Sequence, residues 1–128
     1  MSTVSAIFAL LAGALHVFIW TMESFTWRQP ATWKKFGLES QEHADITAPM
    51  AYNQGFYNLF LAAGAIVGAV LVFADHETVG WTLLLFSCGS MLAAALVLLT
   101  SGPGYARAAS MQGTLPLLAV ATGVLAVI

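Results

Sequence analysis

AYNQGFYNLFLAAGAIVGAVLVFA, residues 51–74, is the stretch on which the fold turns. No charged residue interrupts it. A helix needs about 20 apolar residues to cross the hydrocarbon of a bilayer, and this run supplies them. Such a helix is apolar on every side, so it belongs in the interior of a large protein or in lipid. The chain has 128 residues, too few for a core that would surround several such helices. The first turns carry a different message. Asn53-Gln54-Gly55-Phe56-Tyr57-Asn58 sets amides and a phenol inside the apolar run, where polar groups are costly.

Three further runs extend the pattern. They cover about residues 4–27, 78–100 and 111–128, the last being short enough to begin earlier, near Ala106. The chain is 59% hydrophobic and only 8% charged, against about a quarter charged in soluble domains, and its mean hydropathy is +0.83. The expected fold is all-α, a four-transmembrane-helix bundle forming a single membrane domain over residues 1–128. No Lys or Arg precedes the first apolar run, so that run reads as a retained helix rather than a cleaved signal.

Residues 28–50 form the longest connection and hold most of the charge. Pro30 and Pro49 bracket it as prolines do at helix margins, and Glu39-Ser40-Gln41-Glu42 could start a short surface helix. Trp27, Trp33 and Phe36 fit an interfacial aromatic belt. Asp75-His76-Glu77 makes a tight link, and Ser101-Gly102-Pro103-Gly104 is a turn signal. All four Lys and Arg (Arg28, Lys34, Lys35, Arg107) fall in the first and third connections. The positive-inside rule puts those connections in the cytoplasm and both termini outside. The expected location is a cytoplasmic (inner) membrane.

Charge also removes function classes. A net charge of −2 with four basic residues leaves nothing to follow a phosphate backbone, so nucleic acid is not an expected partner. Cys88 is the only cysteine, which excludes an intrachain disulfide and a CxxC motif, and mid-helix it reads as packed and inert. Glu39, Glu42, His43 and Asp45 read as a solvated loop, and His76 as a surface residue, so no metal site is assigned and no cofactor is named. No HExxH, Ser-His-Asp order or phosphate-binding glycine loop occurs.

Candidate chemistry lies at membrane depth. His16, Trp20 and Glu23 follow steps of four and seven residues, hence one helix face, with His16 and Glu23 about 10 Å apart along the axis. Gln54, Tyr57 and Asn58 are expected to share a face of the second helix, with Asn53 at its edge. Gln112 opens the fourth helix, and Thr100 closes the third at the same level. Ionisable and amide side chains in spanning helices usually face the bundle or a wet cavity. Glu23 and His16 are the candidate acid–base pair. Trp20, Asn53, Gln54, Tyr57, Asn58 and Gln112 are the candidate ligand contacts.

The favoured reading is a polar pocket toward the inner leaflet for a membrane lipid or hydrophobic small molecule, with Glu23 and His16 available for proton exchange. A proton-coupled transporter acting as an oligomer is a second reading. A structural subunit, in which the amides only hold helices together, is a third. Small residues spaced by four (Gly64 and Gly68, Gly89 and Ala93, Ala9 and Gly13) serve bundle packing and a homo-oligomer equally.

The same residues carry a resemblance. His16 to Trp27 with Glu23, Phe36-Gly37-Leu38, Asn53 to Asn58 running into Phe60-Leu61-Ala62-Ala63-Gly64, and Gln112-Gly113 with Pro116 together resemble the DUF1304 family of small bacterial membrane proteins. The Asn-Gln-Gly-x-Tyr-Asn string is the specific part. The resemblance implies four helices and gives weight to the polar cluster, but it implies no substrate. Leu15 departs from the pattern, which often has Glu just before this histidine. Glu23 is then the remaining carboxylate candidate.

Overall fold

The computed structural model describes all 128 residues. Helix α1 spans Ser2–Ser24, α2 is one turn at Pro30–Trp33, α3 spans Gln41–Phe73, α4 spans Glu77–Thr100 and α5 spans Ala106–Val127. Short 3-10 turns at Lys34–Phe36 and Pro103–Tyr105 complete the chain, and there is no strand. The four long helices are each long and apolar enough to cross a membrane. They form a ring in which α1 packs on α3, α3 on α4, α4 on α5, and α5 back on α1.

The ring closes on small side chains. Ala6, Ala9, Ala12, Ala65, Ala69 and Ala119 are fully buried around Leu84, Cys88 and Met91. Large residues face outward: Phe60 is 62% exposed and Phe86 71%. A soluble bundle sorts the other way. Lipid gives no reward for burying Phe, so membrane helices associate through close backbone approach at small residues instead. Two glycines show how close. A Cβ on Gly68 would lie 2.5 Å from the backbone nitrogen of Leu84, and one on Gly13 would lie 2.6 Å from Cγ1 of Ile66. Gly64 faces Ser87, so both members of the Gly64/Gly68 pair are turned toward α4 of the same chain. Gly89 meets nothing within 4 Å, and Ala93 is exposed.

Helix α1 ends at Ser24, short of the expected residue 27, α4 runs Glu77–Thr100, and α5 begins at Ala106. The second helix is longer than its apolar run: α3 has 33 residues and starts at Gln41. Residues 41–50 are therefore helix, not connection, and Pro49 lies inside α3 rather than at its margin. Ser40 explains the start, because its hydroxyl caps the helix by accepting from the His43 backbone N–H at 3.1 Å. Pro49 comes nine residues into α3; lacking an N–H, it leaves the Asp45 carbonyl without its helical donor. Pro116, buried in α5, does the same to the Gln112 carbonyl.

The remaining connection is tied down. Gln41 accepts from Trp33 Nε1 at 3.0 Å and donates to the Arg28 carbonyl at 2.8 Å and to Asp45 at 3.1 Å. Trp27 Nε1 donates to Thr47 at 3.2 Å, and its ring lies tilted against Phe36 with centroids 5.0 Å apart. Trp33 is buried. These aromatics lock the first connection onto α3. Gly37 has φ of 81°, and a Cβ there would stand 3.0 Å from the Gly104 carbonyl oxygen, so the two connections touch.

Filling the α3–α4 contact tests this packing. Gly68→Val should lower stability by about 1–3 kcal/mol through overpacking. Gly89→Ala, where space is open, should leave the melting temperature in detergent unchanged. Equal melting of both variants would show that α3 and α4 do not meet at Gly68.

Candidate functional site

Glu23 sits in the last turn of α1, and its side chain points back into the bundle, 7% exposed. Its Oε1 accepts a hydrogen bond from Nδ2 of Asn58 on α3. The approach is possible because of Gly55. A Cβ at that position would run into Ser24 Oγ and come within 3.2 Å of Glu23 Cβ. One residue after Glu23, Ser24 Oγ donates to the carbonyl of Tyr52, three residues before Gly55 in α3, at 2.9 Å. The Asn-Gln-Gly-x-Tyr-Asn string thus has a mechanical sense. Gly55 lets the two helices close, and Asn58 supplies the amide that the buried carboxylate needs.

Beside this pair lies a chamber of about 460 Å³. Glu23, Gln54, Asn58 and Gln112 give it polar wall from α1, α3 and α5. His43 and Thr47, from the first turns of α3, and Ser101 and Tyr105, from the α4–α5 connection, extend that wall. Trp27, Phe36 and Leu38 cover it from the first connection. A narrow apolar cleft adjoins the chamber between α1 and α5, lined by Leu15, Phe18, Ile19, Met22 and Met111. Phe36, Leu98, Ala108 and Gln112 border both spaces. Phe18 and Met111 are about half exposed on the outside of the bundle, at 53% and 47%, so the cleft opens sideways.

Four of the eight residues proposed from sequence meet here: Glu23, Gln54, Asn58 and Gln112. The other four lie elsewhere. His16 is buried, but its Nδ1 donates to the Ala12 carbonyl of its own helix at 2.8 Å, and it does not line the chamber. That bond satisfies one ring nitrogen locally and leaves no His16–Glu23 contact. Trp20 packs edge-on against Phe25 and Phe56 at 5.3 and 5.7 Å, with its buried Nε1 unpartnered. Asn53 is exposed and Tyr57 is 59% exposed. The expected shared face of Gln54, Tyr57 and Asn58 is corrected accordingly. A helix turns about 100° per residue, and α1 covers only the stripe through Gly55 and Ala62, leaving Tyr57 outside. Thr100 bonds its own helix at Val97 and stays exposed.

Sequence reasoning missed Trp27, Phe36, His43, Thr47 and Tyr105 as chamber walls. Extending α3 back to its Ser40 cap would have signalled His43 and Thr47, which then fall about two turns and one turn before Met50. Nothing local in the sequence marks Tyr105.

An all-α bundle of four membrane-type helices, with a carboxylate and amides gathered at one end, defines a class of protein. The family model described as "Protein of unknown function (DUF1304)" matches residues 10–124, and the chain belongs to that family. No curated protein and no solved structure matches the chain.

The Glu23–Asn58 bond can be measured. Asn58→Leu should cost about 1–3 kcal/mol, because it strands a buried carboxylate. In a double-mutant cycle with Glu23→Leu, most of that loss should disappear. Additive losses would mean that the two side chains do not interact.

Proposed function

We propose that this protein is a membrane receptor site for an amphipathic small molecule. The polar head occupies the chamber at Glu23, Asn58, Gln54 and Gln112, and the apolar tail lies in the cleft between α1 and α5. The observation that carries this reading is the junction. A polar space and an apolar, laterally open space share Phe36, Leu98, Ala108 and Gln112. A molecule with one wet end and one greasy end is what such a pair of spaces accommodates, since the buried Glu23 carboxylate and its amide neighbours favour a polar group and methylenes gain about 0.8 kcal/mol each on burial.

Binding, rather than turnover, is the reading that the residues support. His16 is bonded within α1 and stands apart from Glu23. The second titratable imidazole near the chamber is His43, on the exposed opening of α3. The proposed setting is a cytoplasmic membrane with the chamber toward the cytoplasm. Arg28, Lys34 and Lys35 lie in the connection between α1 and α3, and Arg107 at the start of α5, all at the chamber end of the bundle.

Two experiments address this. Native mass spectrometry from mild detergent should find one amphiphile class retained by the wild type. Ala108→Trp, which plugs the junction, should lose it while remaining folded. Identical bulk lipid on both proteins would reject the receptor reading. For orientation, a C-terminal alkaline phosphatase fusion should be active and a C-terminal green fluorescent protein fusion dark; the reverse pattern would invert the topology.

A further inference from the structure

The chamber offers more than polarity. Glu23 is a carboxylate almost wholly withdrawn from solvent, with a single amide hydrogen bond. A buried carboxylate is stabilised by a positive charge, and removing that charge from such a site is expensive. Lys and Arg do not provide it. The only ion pair in the chain joins Arg28 to Asp45 at 3.9 Å, both well exposed. Arg28 borders a surface groove that also reaches Glu23, yet its guanidinium is turned to Asp45. Lys35 edges the apolar cleft and is exposed. Lys34 lies over the Trp33 ring, 5.7 Å from its centroid. His43 is the one chamber residue able to become cationic, and it sits at the exposed mouth.

Three aromatic rings line the same space: Trp27, Phe36 and Tyr105. Trp27 and Phe36 are held 5.0 Å apart, one ring tilted on the other, and the Trp27 indole is anchored to Thr47. Aromatic faces attract cations, and several rings around one point are how proteins recognise alkylated ammonium groups. Glu23 supplies the charge, the rings supply the apolar, cation-attracting wall, and the amides of Asn58 and Gln112 can meet any hydrogen-bonding substituent.

Resting on the amphiphile reading above, we infer that the chamber selects a cationic head group, an amine or quaternary ammonium carried on an apolar tail. The ammonium lies against the Glu23 carboxylate among Trp27, Phe36 and Tyr105, and the tail leaves through the cleft past Ala108 and Met111. An anionic head would face the carboxylate, and a neutral head would leave it unpaired.

The test uses three radiolabelled tetradecyl probes that differ only in head group: tetradecyltrimethylammonium, tetradecanol and tetradecyl sulfate. Saturable binding to the full-length protein immobilised in maltoside micelles is measured by scintillation proximity. The expected result is that the ammonium probe binds at least about tenfold more tightly than the other two. Glu23→Gln should remove that preference. Tyr105→Leu should weaken the ammonium probe by about threefold to thirtyfold, and Tyr105→Phe should restore it. Tyr105 lies in a connection, so its variants report on the chamber even if Glu23→Gln does not fold. Saturable binding of the alcohol or sulfate as tight as that of the ammonium overturns the cationic assignment and leaves the amphiphile reading standing. Absence of saturable binding by all three overturns both.

Discussion

A carboxylate withdrawn from water at the end of an apolar helix must find its hydrogen-bond donors within the protein, and for Glu23 that donor is Asn58. Meeting this demand sets much of the geometry around it. The two helices have to approach until an amide reaches across, and Gly55 is the residue that lets them, with no Cβ to strike Ser24. Ser24 then bonds the Tyr52 carbonyl and fixes the register. With α1 and α3 locked there, the remaining polar side chains of α3 are sorted by angle alone. Gln54 and Asn58 fall beside the chamber, whereas Asn53 and Tyr57 turn away.

Away from that end, the bundle obeys a different rule. Its core is a seam of alanines and glycines, with Leu84 and Met91 as the large buried side chains of α4. Cohesion comes from dispersion between backbones in close contact rather than from the release of water. Ser5 and Ser87 are the buried hydroxyls in this region, and Ser5 donates to the Ala119 carbonyl at 2.7 Å, joining α1 to α5. One half of the molecule is therefore packed tight and dry, and the other is open and polar. That division places the candidate site at the end of the bundle where the two longer connections meet.

Much of this was legible from residues alone, and the reasons differ by element. The four spans could be read because apolar runs of that length have few other uses, and Glu23, Asn58, Gln54 and Gln112 because polar groups in such runs need a destination. The beginning of α3 was hidden because Gln41 to Met50 is polar enough to pass for a loop, and Pro49 looked like a boundary when it is an interior residue. Helical spacing put His16 on the face of Glu23 but could not show that His16 bonds within its own helix while Glu23 bonds across to α3. Tyr105 and Phe36 come to the chamber through the contact between Gly37 and Gly104, a tertiary meeting of two connections that no periodicity encodes.

Pro116 has a consequence for hydration. In a spanning helix every carbonyl is normally closed by the N–H four residues on, which keeps the interior dry. Pro116 has no N–H to give, so the Gln112 carbonyl is open, at a residue whose position borders both the chamber and the cleft. Pro49 opens the Asp45 carbonyl in the same way in α3. Two helices thus each carry an unfilled backbone acceptor toward the polar end. An acceptor of that kind draws a hydrogen donor from whatever is nearby. The chamber end therefore offers acceptors from its backbone as well as from its side chains, and replacing every polar side chain there would leave those two carbonyls in place.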